Sequence, residues 1–212
     1  MSLETSFGAE VKARIGEAVR RAEGLSRGQI VPVVVEKSDA YPEVRYRGAL
    51  LASALATLVL LVLAPPLGLA ELSLLQVGAG LAGAALSLWD PVERLLAGRR
   101  SMDEAARARA MRAFHEHGLH RTSEGTGVLL FASLFEREAV VLGDRGIHER
   151  MDGGWDRAVA ALVDGMRAED PARGFIEAVA LCGAKLAEHF PRDPDAHPPP
   201  NELEDAIRTE HR

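Results

Sequence analysis

The sequence has 212 residues, 47% hydrophobic and 26% charged, which suits a folded domain and is too apolar for a disordered chain. Its single cysteine, Cys182, leaves no intramolecular disulfide framework and no zinc or iron–sulfur site built from several thiolates. A formal net charge of -6 counts against general nucleic-acid binding, which draws its affinity from phosphate neutralisation, so no nucleic-acid partner is expected.

The first twelve residues, MSLETSFGAEVK, carry acids early and no uninterrupted apolar core, so a secretory or lipoprotein signal is not expected and the chain should start in the cytoplasm. No segment recurs at a fixed period, which sets solenoids and propellers aside. Residues 10–23 form an amphipathic helix, with Val11, Ile15, Ala18 and Val19 on one stripe. Residues 29–35, QIVPVVV, then read as a buried β-branched strand, in which Pro32 suggests an edge or a bulge.

Two apolar stretches follow. Residues 48–64, GALLASALATLVLLVLA, hold no charge, and residues 72–89, LSLLQVGAGLAGAALSLW, hold only Gln76 as a strongly polar group. Seventeen residues at about 1.5 Å each cover roughly 25 Å against about 30 Å of hydrocarbon, a gap that extension through Pro66 to Leu69 would close. As neither stretch is amphipathic, burying both as a helical hairpin in a soluble core would take about as much protein again, and a transmembrane hairpin is the expectation. Small residues four apart, Gly78 with Ala82, Gly80 with Ala84 and Ala79 with Gly83, and Ala52 with Ala56 on the first span, allow close helix contact. Lys37, Arg45 and Arg47 precede the pair and Arg94, Arg99 and Arg100 follow it, with no Lys or Arg from Gly48 to Glu93. Both flanks, and hence both termini, are therefore expected in the cytoplasm, with the hairpin in the cell inner membrane and the lone cysteine in a reducing compartment.

Beyond the hairpin, Ser101 with Glu104 three residues later and Asp103 between them resembles a helix start, and the helix should run to about His117, burying Ala106, Ala110 and Phe114, with Gly118 ending it. Residues 127–134 and 138–143 are two β-rich runs around Phe135, Glu136 and Arg137, the pattern of an antiparallel hairpin with a three-residue loop. Asp144 to Ile147 reads as a turn, followed by helices near 155–166 and 171–190. From Pro191 the tail, with Pro194 and Pro198 to Pro200, is too proline-rich and polar to pack. The fold class expected is α/β: a small mixed sheet sandwiched by helices and interrupted by a two-helix transmembrane hairpin. Residues 1–47 and 90–192 form its two parts, 48–89 the hairpin and 193–212 a flexible tail.

The segments GQIVPVVVEKSDAYPE, HRTSEGTGVLLFASLFEREAVVLGDRGI and LAEHFP together resemble the TPM-domain family in its membrane-associated bacterial form. The resemblance spans about residues 5–192 and is most specific from Thr122 to Ile147. It implies an α/β sandwich, a shallow groove beside the sheet and, in some members, divalent-cation binding or a proposed acid-phosphatase activity. Gln29 departs from it, because the family commonly has Glu directly before the first strand.

If the second and third strands are antiparallel, Asp144 at the end of the third lies beside Thr122 and Glu124 at the approach to the second. The three would offer hard oxygen ligands for Ca2+ or Mg2+. The same residues also suit plain turn chemistry: Asp before Arg-Gly is an ordinary turn former, and Glu124 solvates a loop. His115 and His117 differ by about 200° around a helix and Gly118 breaks the turn toward His120, so the three histidines read as a polar helix end. Cys182 reads as a small hydrophobe. Asp39, Asp144 and Asp152 are the carboxylates available for phosphatase chemistry, but no nucleophile stands beside a base and no glycine loop cradles phosphate. The expectation is a membrane-anchored module that binds a divalent cation or a protein, with the lipid bilayer and a membrane or peripheral protein as partners. A metal-dependent phosphatase held at the membrane is the alternative.

Overall fold

The computed structural model describes residues 6–63, 68–122, 124–150, 154–192 and 206–210. Its elements in chain order are α1 (Ala9–Glu23), β1 (Gln29–Val35), α2 (Pro42–Leu63), α3 (Leu69–Leu86), α4 (Asp90–Ala97) and α5 (Arg99–Glu116). After a 3-10 turn at Leu119–Arg121 come β2 (Gly127–Ser133), β3 (Glu138–Gly143), α6 (Arg145–Arg150), α7 (Asp156–Arg167), α8 (Pro171–His189) and β4 (Arg208–Glu210). They fall into two compact units, Met1–Ser38 with Asp103–Arg212, and Asp39–Met102.

The first unit is built on one mixed sheet in the order β3-β2-β1-β4. β1 runs parallel to β2 from Gln29 opposite Gly127 to Val35 opposite Ser133, and β2 runs antiparallel to β3. Every residue of β1 and β2 is buried, because side chains alternate between two faces and helices cover both. Val31, Val33 and Val35 with Leu129 and Phe131 pack under Ala106, Ala110, Ala113 and Phe114 of α5. Ile30 and Val34 with Val128, Leu130 and Ala132 meet α1 through Ile15 and Val19, α7 through Leu162, and α8 through Phe175, Val179 and Leu186. The α/β fold with a small mixed sheet between helices is thus the one expected.

Four details differ from the sequence reading. β1 has no bulge: its register is unbroken through Pro32 opposite Leu130, and among the described residues β4 pairs with its other edge from Val33 to Val35, past the proline. Ser101 is not a cap, because α5 already begins at Arg99. The β2–β3 connection is a four-residue turn, Leu134 to Arg137, with Arg137 at φ 57°. The tail, expected not to pack, returns at Arg208–Glu210 as a strand parallel to β1, with Ile207 buried and Thr209 Oγ1 accepting from Lys12 Nζ at 2.9 Å. Residues 1–5, 64–67 and 193–205, which include the first residues of the chain, the inter-span prolines and the proline run of the tail, lie outside the described residues.

The second unit holds two helices, Pro42–Leu63 and Leu69–Leu86, long and apolar enough to cross a membrane. Their buried residues are only Val44 and Gly48 in α2 and Gly83 in α3, while leucines such as Leu55, Leu58, Leu61, Leu74 and Leu81 are exposed. A core helix in water would show the opposite pattern. The helices pack side by side along their small residues: a Cβ added at Gly83 would lie 2.4 Å from both Gly48 O and Ala52 Cβ, so only glycine allows this approach. Three polar residues of the spans are linked to one another. Gln76 Nε2 donates to Thr57 Oγ1 at 2.8 Å, Thr57 Oγ1 to Ser53 O at 2.8 Å and Ser53 Oγ to Gln76 O at 3.2 Å.

Candidate functional site

Strand direction assembles one loop cluster in the sheet unit. Parallel pairing of β1 with β2 sets the residues before the two strands side by side, and the antiparallel β2–β3 hairpin returns the end of β3 to the same end of the sheet. Gln29 N donates to Thr126 O at 3.2 Å, Thr126 Oγ1 to Arg27 O at 3.0 Å and Asp144 N to Gly127 O at 2.9 Å. Three loops, from residues 27, 122 and 144, are thereby tied into one surface.

Of the three residues expected to converge, two do. Thr122 Oγ1 lies 3.4 Å from Asp144 Oδ2 and accepts from Thr126 N at 3.1 Å. Glu124 belongs to a different interaction: its carboxylate is held by Arg27 Nη1, 2.9 Å from Oε2 and 3.0 Å from Oε1. Both of those side chains are partly exposed, so the pair contributes at most about 1 kcal/mol, yet it occupies the carboxylate. Arg27 was absent from the sequence reading, and the signal for it was there: a basic residue two positions before β1 lands beside the loop before β2 once the strands are parallel.

Asp144 also organises the backbone. Its carbonyl accepts from Ile147 N at 3.1 Å and His148 N at 3.2 Å, and its Oδ1 accepts from Arg145 N at 2.7 Å, so both its backbone and its side chain hold the first turn of α6. Gly146 lets the loops close, since a Cβ there would meet Glu124 O at 2.5 Å and Gly125 O at 2.8 Å.

Calcium takes six to eight oxygens and magnesium six, usually with more than one carboxylate. Asp144 and Thr122 fall short of that, and among the described residues no group of three or more His, Cys, Asp or Glu side chains could hold a metal ion. Asp39 belongs to the other unit, and Asp152 lies outside the described residues. Asp144→Asn, which keeps an acceptor for Arg145 N, should leave the melting temperature nearly unchanged, and calcium should raise neither protein's. A site filled at about 100 times its Kd would add roughly 2.7 kcal/mol, or about 5–11 °C. A rise of that size in the wild type, lost in Asp144→Asn, would show a cation site at Asp144.

The remaining candidates have structural roles. His115 and His120 meet with ring centroids 5.0 Å apart and planes tilted by 57°, an approach that helical angles alone do not show because the 3-10 turn folds His120 back. His117 Nδ1 instead meets the Arg208 guanidinium. Cys182 is buried in the core, and burial pushes its thiol up to about 12, with Lys185 opposing the rise, so the side chain is neutral and unreactive.

Three comparisons with known proteins bear on this surface. Residues 95–185, which include β2, β3 and the Thr122–Asp144 pair, match the family described as TPM domain. The structure is similar to the NMR structure of BA42 protein from the psychrophilic bacterium Bizionia argentinensis, at 20% identity and TM-score 0.59, with 99% of each chain covered. At that identity the likeness speaks for the fold. No curated protein matches the chain. Residues 95–185 are thus similar to the TPM domain, and the fold of the chain is that of the BA42 structure.

Proposed function

We propose that this protein is a membrane-anchored TPM-domain module that acts by binding a membrane or peripheral protein, with the sheet unit in the cytoplasm. The observation that carries the reading is the pair of helices Pro42–Leu63 and Leu69–Leu86, each with an apolar stretch of 18 residues that is almost wholly unburied. Exposed leucines on both are costly in water and at home in lipid. The flanking basic residues support the orientation, because Lys and Arg occur on both sides of the spans and none between Gly48 and Glu93. Binding is favoured over catalysis by the loop cluster itself. Arg27 holds the carboxylate of Glu124, and Asp144 bonds the backbone of its own turn.

Extraction of bacterial membranes with alkaline carbonate tests the anchor. The full chain should stay with the pelleted bilayer and leave it only in detergent. Release into the carbonate supernatant would remove the membrane reading.

A further inference from the structure

We infer that α4 is an interfacial helix, lying on the cytoplasmic leaflet and binding anionic phospholipid, so that the anchor is two spans plus a surface-lying arm. This rests on the membrane reading above. The helix follows α3 within four residues and starts with Trp89 before it and Pro91 in its first turn. At about 100° per residue, Pro91, Val92, Leu95 and Leu96 share one stripe, and Asp90, Glu93 and Arg94 the other. Val92 and Leu96 are half-buried, whereas Leu95 is 80% exposed and Trp89 63%. Half of the apolar stripe is therefore bare. Arginine fixes the helix relative to the first span: Arg47 Nη1, at the base of α2, donates to Leu96 O at 2.8 Å and Ala97 O at 3.4 Å. Those are carbonyls of the last turn of α4, whose partial negative charge a guanidinium satisfies. The bare stripe is thus held at the end of the hairpin where both spans meet their basic flanks.

The occupant follows from chemistry at that end. Tryptophan and leucine on one side of a short helix, with Arg45, Arg99 and Arg100 in the same unit, match the boundary between acyl chains and anionic headgroups. Arg45 and Arg99 are exposed. A protein partner has no comparable support, since the stripe continues directly from the apolar spans.

The test uses the full chain in vesicles of phosphatidylcholine alone or mixed equally with phosphatidylglycerol. With Trp89 and Trp155 replaced by Phe, a single tryptophan is placed by Leu95→Trp or by Leu58→Trp, and quenching is read with lipids brominated near the headgroup or deep in the chain. Trp89 alone, in Trp155→Phe, gives a second reporter with the native helix. The expected result is blue-shifted emission for Leu95→Trp and for Trp89, quenched more by shallow than by deep bromine, and shifted further by phosphatidylglycerol. Leu58→Trp should be quenched by deep bromine. If Leu58→Trp is quenched while Leu95→Trp and Trp89 emit as in water, α4 lies off the membrane and the proposal fails with the anchor intact. If Leu58→Trp is not quenched at all, the membrane reading falls and takes the proposal with it.

Discussion

Gly83→Leu is expected to disrupt the pairing of α2 and α3, lowering the temperature at which helical circular dichroism is lost in detergent. The cause is local. The added Cβ alone would sit 2.4 Å from the carbonyl oxygen of Gly48 and from Ala52 Cβ, and neither backbone nor methyl can yield without moving a helix. Overpacking of this kind costs about 1–3 kcal/mol where neighbours can shift, and here the helices must separate to relieve it. Separation also opens the Gln76–Thr57 hydrogen bond, leaving the Gln76 amide without that acceptor. Gly78→Leu is the matched control, since nothing lies within 4 Å of a Cβ at that position, and it should melt like the wild type. Equal melting of the two variants would mean that the helices do not meet along Gly83.

Phe131→Ala should have the largest effect in the sheet unit. Phe131 is fully buried at the middle of β2, opposite Val33 on one side and Val140 on the other, and packs in the cluster under α5. The alanines that α5 presents there, Ala106, Ala110 and Ala113, are too short to fill the space a lost ring would leave. Truncations of this type cost about 3–5 kcal/mol. For a chain of this length that corresponds to a melting temperature lower by roughly 10 °C, measured by loss of tertiary signal on heating. A shift of one or two degrees would mean that α5 does not seal this face.

The three main strands were legible because each is built on a contiguous apolar run, and in β1 and β2 burial on both faces makes such runs continuous rather than alternating. The fourth was not. Arg208–Glu210 has three residues of mixed polarity, and its strand state comes from pairing with Val33 to Val35, some 175 residues away in the chain. α4 was missed for a similar reason: eight residues between the second span and α5 carry too short a period to stand out, and Ser101 offered a more familiar helix start. In the loop cluster, Thr122 beside Asp144 followed from the hairpin register alone. The Arg27–Glu124 pair required knowing that β1 lies parallel to β2, a long-range fact that no local pattern contains.

Membrane topology is the property to measure. Single cysteines at Gly68, between the spans, and at Arg145, on the exposed start of α6, are placed in a Cys182→Ala background and treated with a membrane-impermeant maleimide. Position 68 should label in intact cells from which the outer barrier has been removed, and position 145 only after lysis. Labelling of position 145 in intact cells with protection of position 68 would contradict the account.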